Sequence, residues 1–216
     1  MPIQSPGRDP VTRAYTVGLG GSINSGKNLL LLALCRLLRD SYSIAVVTRP
    51  PAAGVDGSRE FLIRHKALAP LRIVAVDDAR HSDPAIEWLM TEFRPELIFG
   101  EDDGSEWAID ARPDFRIHVV DGSGAGMSRY DAIGAAKSDL LVLNKTHIGP
   151  PLDIQRNISV RESICTRGSR PYVFAHARYG IGTVEIARQF LARWRQTHAP
   201  VAWARAVEGP AVLTSA

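Results

Sequence analysis

Between Gly21 and Asn28 the chain reads Gly-Ser-Ile-Asn-Ser-Gly-Lys-Asn, a G-x-x-x-x-G-K spacing followed by an amide. Glycines at 18, 20, 21 and 26 let the backbone turn tightly and aim successive N–H groups inward, as a loop that cradles phosphate must. The apolar run after Lys27 predicts a helix whose positive N-terminus faces the same anion. Gly21, Ser22, Ile23, Asn24, Ser25, Gly26, Lys27 and Asn28 are therefore the candidate nucleotide-binding residues, with the Lys27 amine reaching the outer phosphates. The alternative is a Gly-rich turn that binds nothing. One position departs from the chemistry: a hydroxyl beside the lysine would ligate Mg²⁺, and Asn28 offers a neutral, poorer amide oxygen. Asn24 stands where glycine would give more freedom, although Asn enters left-handed backbone more readily than most residues.

A second candidate element is "SDLLVLNKTH", Ser138 to His147, an apolar run ending in Asn-Lys. In P-loop GTPases an N-K-x-D sequence at this place holds guanine, its Asp accepting two hydrogen bonds from the base. Asn144 and Lys145 match, but the fourth position is His147, whose neutral imidazole has one acceptor nitrogen. Half of a guanine reader is present, and the preference for guanine over adenine stays open.

These residues need a scaffold that brings strand ends together. Runs of four to six mostly apolar residues recur at 15–19, 43–48, 72–76, 96–100, 116–121, 139–144 and 171–176, and each reads as a buried strand. Helical length or spacing marks 27–39, 58–66, 83–93 and 183–195. The alternation predicts an α/β fold, a mainly parallel central sheet with helices on both faces and active groups at the carboxyl ends of its strands. Residues 1–14 and 197–216 read as tails around one domain over 15–196. A net charge of +3 without runs of like charge does not suggest nucleic acid, and no apolar run is long enough for a membrane span, so a cytoplasmic protein is expected. Cys35 and Cys165 lie in no metal-type spacing and read as reduced thiols.

Taken in order, "VGLGGSINSGKNLLLLALCRLLRDSYSIAVVT", "SREFLIRHKAL", "RIHVVD" and "KSDLLVLNKT" resemble the UreG/HypB family of SIMIBI-class P-loop GTPases, and "RPYVFAH" and "GTVEIARQFL" extend the similarity to about Arg195. The resemblance implies GTP and Mg²⁺ as cofactors and a role in placing nickel in urease. It implies urease accessory proteins of the UreD/UreF/UreH type and the urease apoprotein as partners. A homodimer, or a heterodimer with an intact UreG, would follow. Lys27 and Glu101 are then the candidate catalytic residues, Glu101 by its place in the family.

The departures fall on the chemistry. Arg49 and Pro50 stand where the family has an acidic group beside Mg²⁺. "DDARHSDPAIEWLM" replaces a Cys-Pro-His metal motif, "EDDG" replaces Glu-Ser-Gly-Gly, and "RYDAIGAAK" replaces a Lys-Gly-Gly-Pro-Gly loop. Asp77, Asp78, His81 and Asp83 could hold nickel, His81 being the best candidate ligand, or could form a solvated loop with Asp83 and Pro84 opening the next helix. Glu101, Asp102 and Asp103 could supply a Mg²⁺ carboxylate or remain an acidic loop. His65, His118, His176 and His198 show no ligand spacing and read as structural or surface residues. Two functions follow: a UreG-like GTPase with weakened GTP and Mg²⁺ binding, or a degenerate pseudo-GTPase that acts by docking onto partners.

Overall fold

The computed structural model describes residues 13–50, 57–76, 82–101, 113–123, 128–145, 161, 164–165 and 167–207. Seven strands form one sheet: β1 (Tyr15–Gly20), β2 (Ile44–Thr48), β3 (Ile73–Ala75), β4 (Leu97–Glu101), β5 (Phe115–Asp121), β6 (Leu140–Asn144) and β7 (Tyr172–Phe174). Their order is β3-β2-β4-β1-β5-β6-β7, and every pairing is parallel. All seven coincide with the apolar runs, because a strand covered on both faces needs near-continuous hydrophobic sequence.

Side-chain alternation divides the core. Tyr15, Val17, Leu19, Val46, Phe99, Ile117 and Val142 face helices α1 (Lys27–Leu38), α2 (Ser58–Arg64) and α5 (Thr183–Val207), joining Leu30, Leu34, Leu62 and Phe190 in the largest cluster. Phe190 meets Phe99 edge to face, with ring centroids 5.8 Å apart. On the other face Ala45, Val47 and Ile98 pack with Ile86 and Leu89 of α3 (Ser82–Phe93). Val120, Leu141 and Leu143 cluster with Ala135 of α4 (Arg129–Lys137).

Helix α4 falls in "RYDAIGAAK", where no helix was expected, and α5 continues to Val207 through part of the stretch expected as a tail. At the other boundary, Arg13 pairs with Asp114, and Ala14 is buried. Burial opposes ionisation of Asp114, yet Arg13 and Thr16 outweigh it and hold the carboxyl below its ordinary range. The carboxyl ends of β4, β1, β5 and β6 lie side by side. They form one edge carrying Glu101, the Gly21–Asn28 loop, Asp121 and Asn144–Lys145. Among the described residues, no helix is long and apolar enough to cross a membrane.

Candidate nucleotide-binding site

After Gly20 the chain turns through Gly21 (φ 142°), Asn24 (φ 66°) and Gly26 (φ 94°) into α1. A Cβ on Gly21 would stand 2.2 Å from the Val119 carbonyl oxygen, and one on Gly26 would stand 2.1 Å from Asn144 Nδ2. The loop runs this close to its neighbours only because both side chains are missing. Asn24 takes its left-handed conformation without glycine. Among the described residues no side chain caps the first turn of α1, and no acidic residue lies in that turn, which leaves the positive end of the helix facing the loop. Lys27 Nζ donates to the carbonyls of Gly21 and Ser22, holding its charge across the loop. Ser25 Oγ is fully buried and has no hydrogen-bond partner among the described residues. A cradle too tight for a Cβ, a buried unsatisfied hydroxyl and a lysine together fit a phosphate group.

Asn144 ties this loop to the far side of the edge. Its Nδ2 donates to the Ser25 carbonyl at 2.8 Å, and its Oδ1 accepts from the Ala177 N–H at 2.9 Å. Lys145, at φ 58°, pairs through Nζ with Asp121 Oδ2 at 2.6 Å. Burial pushes the Asp121 carboxyl up, but Lys145 and the hydroxyl and N–H of Ser123 prevail and lower it overall. His147 and His81 lie outside the described residues.

A third support comes from α4. Asp131 Oδ1 accepts the Ser22 N–H at 3.1 Å and lies 3.1 Å from His118 Nε2, while Oδ2 accepts the Ser128 hydroxyl at 2.7 Å. Burial works against the charge, yet these bonds outweigh it and pull the Asp131 carboxyl down to about 2. Of the structural and surface readings, burial leaves His118 the structural one, and it joins β5 through Asp131 to the Gly21–Asn28 loop.

On the β4 side, Asn28 Oδ1 and Glu101 Oε1 approach the same hydroxyl, Ser58 Oγ, at 3.2 Å and 2.8 Å. Glu101 and Ser58 are both buried. An amide oxygen and a carboxylate brought together beside a phosphate loop are hard donors of the kind Mg²⁺ takes, so the residues fit that cation. Among the described residues, no group of three or more His, Cys, Asp or Glu could hold a metal ion.

No protein-family model matches the chain. Solved structures do. HypB from Helicobacter pylori, solved in complex with nickel, superposes with a TM-score of 0.64 at 13% identity, over 86% of this chain and 89% of that one. The hydrogenase maturation factor HypB from Archaeoglobus fulgidus gives 0.61 at 14%, over 84% and 90%. FlhF complexed with GMPPNP and Mg²⁺ gives 0.50 at 12%, over 76% of this chain and 66% of FlhF. The chain has the P-loop NTPase fold.

Gly21–Asn28, Glu101, Asn144 and Lys145 thus share one edge of the sheet. Ser58, Asp121, Asp131 and His118 belong to the same neighbourhood, although sequence reasoning gave none of them a role there. Contacts of Asp121, Ser58 and Asp131 with this edge span 24 to 109 residues of chain. The only local signal was an acidic residue three positions after Ser128, which caps α4 by accepting from the Asp131 N–H.

Proposed function

We propose that this protein binds a purine nucleoside phosphate in the Gly21–Asn28 loop. We propose further that it acts as a UreG-like accessory protein assisting incorporation of the urease nickel metallocentre. The observation that carries the first step is the loop itself: two positions that exclude a Cβ, an uncapped helix N-terminus and Lys27 held across it. Likeness of fold to HypB, solved with nickel, supports the second.

In this reading the backbone N–H groups of the loop bind phosphate and Lys27 swings from the Gly21 and Ser22 carbonyls to the outer phosphate. Asn144 keeps the loop in register with the segment after β7. Mg²⁺, held with Asn28 and Glu101, would neutralise charge on the transferred phosphoryl group. GTP turnover is slow, since an amide stands at Asn28 and no carboxylate at Arg49 or Pro50. Nickel is cargo, and no tight stoichiometric site is expected on the isolated chain, with His81 the best residual ligand. The partners are urease accessory proteins of the UreD/UreF/UreH type and apo-urease in the cytoplasm, with a homodimer or a heterodimer with an intact UreG as the assembly. Asn28 also favours a second reading, a pseudo-GTPase that keeps the scaffold and acts by docking.

Titration of the purified chain with fluorescent GTP and ATP, with and without Mg²⁺, tests the first step. Lys27→Ala is expected to weaken binding by about tenfold or more, the size of one charge-assisted contact. Unchanged affinity in that variant would refute nucleotide binding by this loop. For the second step, adding the chain and GTP to apo-urease with its accessory proteins and nickel is expected to raise urease activation. No rise would favour the docking reading.

A further inference from the structure

Ser58 is the first residue of α2, and among the described residues its hydroxyl turns to Glu101 and Asn28 and not to an N–H of that helix. The side chain is buried, and Oγ stands 2.8 Å from Glu101 Oε1 and 3.2 Å from Asn28 Oδ1. A serine hydroxyl has one hydrogen, so it can satisfy one of these two acceptors at a time. Two acceptor oxygens, one of them on a carboxylate, therefore converge on one hydroxyl oxygen. Their spacing suits a cation: neighbouring oxygens around octahedral Mg²⁺, each about 2.0–2.1 Å from the metal, stand roughly 2.9 Å apart.

We propose that Ser58 supplies the hydroxyl ligand missing at position 28. Asn28 Oδ1, Ser58 Oγ and Glu101 Oε1 then occupy adjacent positions of a Mg²⁺ site beside the phosphate loop, leaving the others to nucleotide phosphate and water. This rests on the nucleotide-binding reading above. The hydroxyl has in effect moved 30 residues along the chain, from the start of α1 to the start of α2, while still facing the same carboxylate. Turning the Asn28 amide over gives the competing arrangement, in which Nδ2 donates to Ser58 and Ser58 to Glu101 in a closed chain that binds no cation.

Mn²⁺ serves as the probe, titrated into the full chain saturated with GDP and followed by water-proton relaxation, with GDP affinity measured separately in EDTA. Ser58→Ala is expected to weaken Mn²⁺ binding by about tenfold or more, at least what loss of a supporting group around a metal costs. Ser58→Thr, which keeps the hydroxyl, should stay within about threefold of the wild type. GDP affinity in EDTA should be alike in all three proteins. Wild-type Mn²⁺ affinity in Ser58→Ala, or an equal loss in Ser58→Thr, would overturn the assignment of Ser58 while leaving nucleotide binding intact. A wild-type chain that binds no GDP, in EDTA or with Mn²⁺, would overturn both.

Discussion

At the end of β1 the loop is shaped by what two glycines lack, whereas at the ends of β4, β5 and β6 the shape comes from what side chains donate. Gly21 and Gly26 leave room for Val119 and Asn144, and the groups that would meet a phosphate are main-chain N–H groups and one lysine. Across the edge, Asn144, Lys145, Asp121 and Glu101 work through amide, ammonium and carboxylate contacts. Main-chain recognition survives most substitutions, because every residue but proline carries the same donor. Side-chain recognition changes with each substitution.

The sharpest way to break this contrast is Gly21→Ala. Its methyl would meet a backbone carbonyl that cannot swing aside, in a conformation L residues rarely adopt, so a loss of about 3 kcal/mol or more is expected in urea denaturation. A variant within about 1 kcal/mol of wild type would mean the loop is not so tightly held. Asn144→Ala strips partners from the Ser25 carbonyl and the Ala177 N–H and should cost about 2–6 kcal/mol, from roughly 1–3 for each buried group. An effect near zero would show that the two sides of the edge are not joined through this amide.

His147→Asp sharpens the side-chain half. Restoring a carboxylate that accepts from guanine is expected to raise the preference for GTP over ATP by about ten- to 150-fold, equal to roughly 1.5–3 kcal/mol, with ATP affinity almost unchanged. Competition between the two nucleotides measures it, and no response would place His147 away from the base. Asp131→Asn is the mildest change, costing about 1–2 kcal/mol at neutral pH. The Asp131 carboxyl titrates near 2 in the folded chain, below its usual value of roughly 4 when unfolded. Its stabilisation is therefore complete above about pH 5 and disappears as pH falls from about 4 through 2. Denaturation of wild type and variant should converge across that window, and a gap that stays constant to pH 2 would contradict the bonding described.

The fold was legible because buried parallel strands are written as short apolar runs, and β1 to β7 each carried one. Helix α4 was not, since "RYDAIGAAK" has a weak apolar face and a central glycine. Gly134 is there for packing: a Cβ would stand 2.1 Å from His118 Cε1. The turn from Gly21 into α1 could be read because its residues are contiguous. Ser58 and Asp131 could not, because each owes its place to partners far along the chain: Glu101 is 43 residues from Ser58, and Ser22 is 109 from Asp131. A serine opening a helix reads locally as a helix start and nothing more.

The Gly21–Asn28 loop is proposed to work as a phosphate cradle. Calorimetric titration of the intact chain with GDP and with guanosine tests it most directly, since the two ligands share a base and ribose and differ only in the phosphates. With two or more charge-assisted contacts made to the phosphates, GDP is expected to bind at least about 100-fold more tightly than guanosine. Equal affinities, or no heat from GDP under conditions where the chain is folded, would contradict phosphate binding by this loop.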